Sequence, residues 1–162
     1  MNEKKLLKKG GGNYMNNMII VGSKRNGYLI NLEEKSLTIN YFNSLYENLF
    51  KKKIKHKEIS FSEIKYINVT YSASDRSIWG IDSSLVLEVY TNDGKKYLMH
   101  GNIEATKEDF LQAYEILKAQ GITFLDKYNI ISYLYSHQSK RIDIVLVDMI
   151  KKKIIPMPEY KV

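Results

Sequence analysis

Residues 85–121 read LVLEVYTNDGKKYLMHGNIEATKEDFLQAYEILKAQG, and a change of period inside this stretch decides the fold. Leu85 to Thr91 and Lys96 to His100 read as strands on either side of the tight-turn sequence Asn92-Asp93-Gly94-Lys95. From Thr106 the apolar positions move to helical spacing, with Phe110, Leu111, Ala113, Tyr114, Ile116 and Leu117 forming one wide stripe. Thr106 and Asp109 stand at capping-box spacing, and Gly121 occupies the place where a left-handed helix stop is expected. A run of strands that ends in a single amphipathic helix is an arrangement with few solutions, because a strongly bent sheet leaves an open end for that helix to fill.

Upstream, the pattern predicts five more strands. Met18 to Gly22 and Tyr28 to Leu32 flank Asn26-Gly27, whose residues adopt positive φ at least cost. After the polar reversal Glu33-Glu34-Lys35, Ser36 to Tyr41 alternates Leu37, Ile39 and Tyr41 against Thr38 and Asn40. Lys53 to Ser60 and Lys65 to Tyr71 complete the set, giving seven strands in all. Residues 42–50 fit either a short helix or a strand with a wide turn, and Ser72 to Ser83 reads as a long connection. Beyond the helix, Ile142 to Ile150 reads as an extra strand buried on both faces, followed by three lysines and an extended Pro156-Met157-Pro158 segment. The expected class is mainly β (α+β): a seven-stranded antiparallel, partly open barrel capped by one helix. Residues 1–17 would form a flexible leader, 18–126 the domain, and 127–162 an extension packing on the domain or on a partner.

Composition bounds the function. The chain of 162 residues has no cysteine, which excludes disulfides and thiolate metal sites and fits a reducing, cytoplasmic compartment. No stretch reaches the roughly 20 apolar residues of a spanning helix, and Met1 to Gly12 lacks the apolar region of an export signal. Net charge is +7, and three runs, Met1 to Lys9, Lys51 to Lys57 and Lys151 to Val162, hold 13 of the 25 basic residues with only Glu3 and Glu159 as acids. The rest of the chain is therefore mildly acidic, and the lysine runs read first as solvated faces.

The hairpin Lys24 to Ile30, the segments KSLTINYF at 35–42, KEISFSEIKYINV at 57–69 and LVLEVYTNDGKKYLMHG at 85–101, and the helix Thr106 to Gln120 follow one another in an order that resembles the pleckstrin-homology superfold, in particular bacterial PH-like and GRAM-like domains. The resemblance spans residues 18–126. For lipid-binding members it implies phosphoinositide capture by basic residues around the first two strands, a position matched by Lys24 and Arg25. Tyr28 to Leu32 adds no further Lys or Arg, and the helix lacks the tryptophan of many eukaryotic members.

No catalytic constellation emerges. His56, His100 and His137 are widely separated, His100 and Glu104 alone make a poor metal pair, and Gly10 to Gly12 lacks the lysine of a phosphate loop. No cofactor, metal or small-molecule substrate is expected. Two surfaces stand out instead. Ile78, Trp79 and Ile81 form an apolar cluster within a polar connection, suited to a protein partner or self-association. Lys24, Arg25, Lys51, Lys53, Lys55 and Lys57 could gather at one mouth of the barrel and attract anionic headgroups, with peripheral attachment at the inner membrane face. Nucleic acid is disfavoured, since the thirteen tyrosines are spread along every strand and no recognition motif accompanies them. The sequence thus predicts a non-enzymatic interaction module, with anionic-surface binding as the alternative.

Overall fold

The computed structural model describes residues 17–22, 27–40, 56–77, 80–101 and 105–158, the side chains of Asn40, Arg76 and Ser77 excepted. β1 (Met18–Val21), β2 (Tyr28–Asn31), β3 (Ser36–Asn40) and β4 (His56–Ser60) form an antiparallel meander. Its register places Ile19, Ile30, Leu37 and Ile59 opposite one another on one face, and all four are buried. The pairing register thus makes one apolar row crossing four strands. The reversal between β2 and β3 is built by Asn31, whose Oδ1 accepts the backbone N–H groups of Glu33 and Glu34, both at 3.1 Å, while Lys35 takes a left-handed φ of 50°.

A 3₁₀ turn over Phe61–Glu63 leads into a second sheet, made of β5 (Ile64–Ser77), β6 (Gly80–Thr91), β7 (Lys96–His100) and β8 (Phe124–Leu125) in the order β7-β6-β5-β8. Here Ile67 faces Val89, and Val69 faces Leu87, which in turn faces Met99. All five side chains are buried. The opposite face is polar: Glu88 accepts from Asn68 at 2.9 Å and Lys96 at 3.2 Å, and the Tyr66 and Tyr90 rings stack beside it.

α1 (Lys107–Ala119) begins at the Thr106–Asp109 capping box read from the sequence and buries Phe110, Ala113 and Leu117 against the core, touching β1. Gly121, at φ 85°, then turns the chain, and the Ile122 N–H returns to the Leu117 carbonyl at 3.1 Å. The following residues pair β8 with β5 in parallel. Asp126 caps α2 (Ile130–Ser136), one oxygen accepting from Ile130 N–H and the other from Ile131 N–H.

Four expectations are corrected. Residues 142–150 are not a strand: they form α3 (Ile142–Lys151), which buries Ile142, Val145, Leu146, Met149 and Ile150. Those residues stand at i, i+3, i+4, i+7 and i+8, so helical period decides against a β-branched composition. Residues 72–77 and 80–83 are not a loop, because β5 and β6 stay paired as far as Ser77 opposite Gly80. Strand propensity is low there, but the small inward side chains of Ala73 and Ser83 leave a seat for α3, and Ser83 Oγ donates to the Asp143 carbonyl at 2.9 Å. Among the described residues the strands form two four-stranded sheets with no pairing between them, so there is no closed barrel and no single seven-stranded wall. Three helices, not one, stand among the described residues of this α+β fold. The readings of 1–16, 42–50 and 51–55 lie outside the described residues.

Buried side chains from both sheets and all three helices make one continuous core. Leu146 and Met149 are fully enclosed within it. Truncating either to alanine removes contact with β6 and leaves a cavity, so Leu146→Ala or Met149→Ala should each cost about 2–5 kcal/mol in a denaturant titration. Ile144→Ala, on the exposed side of the same helix, should cost less than about 0.5 kcal/mol.

Candidate functional site

Of the residues singled out in the sequence, Lys24, Arg25, Lys51, Lys53, Lys55, Ile78 and Trp79 lie outside the described residues. Lys57 and Ile81 are described, and they sit in different places. Lys57 is exposed on β4, its ammonium 5.6 Å from the centre of the Tyr97 ring on β7. Ile81 is half-buried on β6 and packs against the core.

The first candidate surface is the far end of the β5–β6 pair. β7 accompanies β6 only from Tyr90 to Val86, and β8 accompanies β5 only at Ile67 and Asn68, yet the pair itself continues to Ser77 and Gly80. Among the described residues it is a two-stranded ribbon beyond those points. Gly80 has φ 107°, a conformation open to glycine and rarely to other residues, which suits the tight reversal there. Ser77 and Gly80 are partners in the register, and Ile78 and Trp79, which stand between them in the sequence, lie outside the described residues. Ser72, Ser74, Asp82 and Ser84 on the ribbon are polar, which leaves the apolar content of this end to the neighbourhood of the reversal.

A second candidate is a cleft of about 190 Å³ where the two sheets meet, lined by Lys57, Glu63, Thr91, Asn92, Asp93, Lys95 and Tyr97 among others. Asn92 fixes it, its N–H donating to the Glu63 carbonyl and its side-chain amide to the Ser62 carbonyl. The cleft holds two cations and two acids, and much of that charge is already used internally. Asp93 receives Lys95 Nζ and the Thr91 hydroxyl, and those hydrogen bonds, the one from Lys95 foremost, bring its carboxyl down from 3.8 to about 2. Lys95 is consequently spoken for. Lys57 alone does not make an anion site, and the cation–π contact with Tyr97 is an association that strand alternation along Lys51 to Lys57 could not reveal, since Tyr97 lies forty residues further on.

His56, His100 and His137 stay apart, on β4, on β7 and after α2. Among the described residues no group of three His, Asp or Glu side chains converges as metal ligands would, and no helix is long and apolar enough to cross a membrane. The most connected titratable cluster is one the sequence did not mark: Asp148 on α3 accepts from Tyr133 on α2 and from Lys152, both at 2.8 Å, with His137 Nε2 at 3.5 Å. Its members are bound to one another across the two helices, which makes it a clamp. The only signal for it was the spacing of Asp148 and Lys152 on one helical face. No family model, no curated protein and no solved structure matches this chain.

The turn at Asp93 gives a pH test. Its folded pKa lies below the ordinary value, so its contribution is complete above about pH 3.8 and is lost as pH falls through about 2. A carboxyl-resolved NMR titration should find the Asp93 midpoint near 2, and a Lys95→Gln variant should move that midpoint upward toward 3.8.

Proposed function

We propose that the protein is a non-enzymatic, cytoplasmic interaction module of PH-like type that engages a protein partner, a second copy included, through the end of the β5–β6 ribbon. The observation that carries this reading is the continued pairing of β5 and β6 to Ser77 and Gly80, past the reach of both flanking strands. The sequence sets an isoleucine and a tryptophan, Ile78 and Trp79, between the two strands of this polar arm, and an aromatic side chain among polar neighbours suits a protein partner. Ile81 packs on the core, so the reading rests on Ile78 and Trp79, with Ile81 as their support. The PH-like assignment is supported by a four-stranded meander followed by the antiparallel β5, β6 and β7 and then by a helix against β1. β8, α2 and α3 are additions to that plan.

Light scattering on the full chain and on Trp79→Ala tests the reading. The parent should show mass above 18.9 kDa, or capture a partner, and the variant should weaken association by roughly thirtyfold, the loss of an anchor worth about 2 kcal/mol. Unchanged association in the variant would remove the ribbon from consideration. Flotation with anionic vesicles at low and moderate salt gives the competing outcome: salt-sensitive binding that Trp79→Ala leaves intact would transfer the function to Lys24, Arg25, Lys51, Lys53, Lys55 and Lys57.

A further inference from the structure

α1, β8 and α2 flank an open groove of about 340 Å³ lined by three aromatic side chains, Tyr114, Phe124 and Tyr135. Tyr114 and Phe124 meet edge to face with their ring centres 4.8 Å apart. Tyr135 is 52% exposed, an unusual placement for an aromatic ring on a short helix packed into a core. In a chain of net charge +7, this groove carries two carboxylates, Glu115 and Asp126, against the single ammonium of Lys118. That ammonium already lies over a ring face, 5.5 Å from the centre of Tyr114.

The engagement of the two carboxylates narrows the class of ligand. Glu115 accepts the Tyr135 hydroxyl, and both oxygens of Asp126 accept backbone N–H groups at 2.9 and 2.8 Å. Much of the lone-pair geometry that a guanidinium fork requires is therefore taken. Aromatic faces and engaged carboxylates together suit a cation that donates no hydrogen bonds and loses little hydration on entry. We infer that the α1–β8–α2 groove binds a quaternary ammonium group, held by the faces of Tyr114, Phe124 and Tyr135 and by the charge of Glu115 and Asp126. Lys118 is then the resident competitor, standing where the ligand's cation would stand.

The experiment is an NMR titration of the full chain with choline chloride, with sodium chloride at equal ionic strength as the blank. Choline should give saturable shifts at Tyr114, Phe124 and Tyr135, and its uncharged carbon isostere dimethylbutanol should bind about tenfold more weakly or not at all. Tyr135→Ala should weaken choline by roughly threefold to thirtyfold, and Glu115→Gln should weaken it in the same direction. Lys118→Ala should tighten it, a result that a merely structural groove does not give. Both Glu115 and Lys118 are exposed, so their variants keep the core intact where Tyr135→Ala does not fold. Equal binding of dimethylbutanol, tighter binding of acetylargininamide, indifference to Lys118→Ala, or no saturable shift would each overturn the inference.

Discussion

The inward face of β6 is the constraint on which the rest depends. Leu85, Leu87 and Val89 are shielded from water on a strand that continues well past β7, and strands paired at its edges do not cover that face. α3 covers it, bringing Ile142, Val145, Leu146 and Met149 into the same core. Each such side chain gains about 1.5–3 kcal/mol on full burial, which holds the helix against the strand. The polar links follow from that placement: Ser83 to the Asp143 carbonyl, the Tyr71 hydroxyl to the Pro156 carbonyl, and the Lys107 ammonium to the His137 carbonyl.

Charge is organised locally in the described parts of the fold. Asp93 pairs with Lys95, Asp143 with Arg141, Asp148 with Lys152, and Glu88 with Lys96, each inside or next to its own element. Most of these pairs are exposed, and such pairs add little to stability. Their consequence is to silence acids near turns and helix ends, so that the groove beside α1 keeps an acidic balance that sets it apart in a basic chain.

Much of the architecture was legible before the coordinates. Leu37 and Ile59 alternate with polar neighbours, and alternation maps directly onto a half-buried strand. The Thr106–Asp109 cap and Gly121 stop are local chemistry and needed no tertiary information. Residues 142–150 resemble a strand because Ile and Val dominate them, yet the spacing of Ile142, Val145, Leu146 and Met149 is helical. The β5–β6 ribbon was missed for the opposite reason: Ser, Ala and Asp have weak strand preference, and pairing there is set by the partner strand and by α3. The groove could not be read at all, since Tyr114, Phe124 and Tyr135 belong to three elements whose approach depends on the parallel turn into β8.

The bond from Tyr71 to the Pro156 carbonyl joins points 85 residues apart in the chain. During synthesis the meander β1 to β4 emerges as a set of neighbours that close on one another at once, while β6 must wait for α3 to leave the ribosome. Until then a strip containing Leu85, Leu87 and Val89 is uncovered in the nascent chain, and the interval grows with every residue between Thr91 and Ile142. The time between the synthesis of β6 and that of α3 is therefore the time for which this strip lacks the cover of its helix.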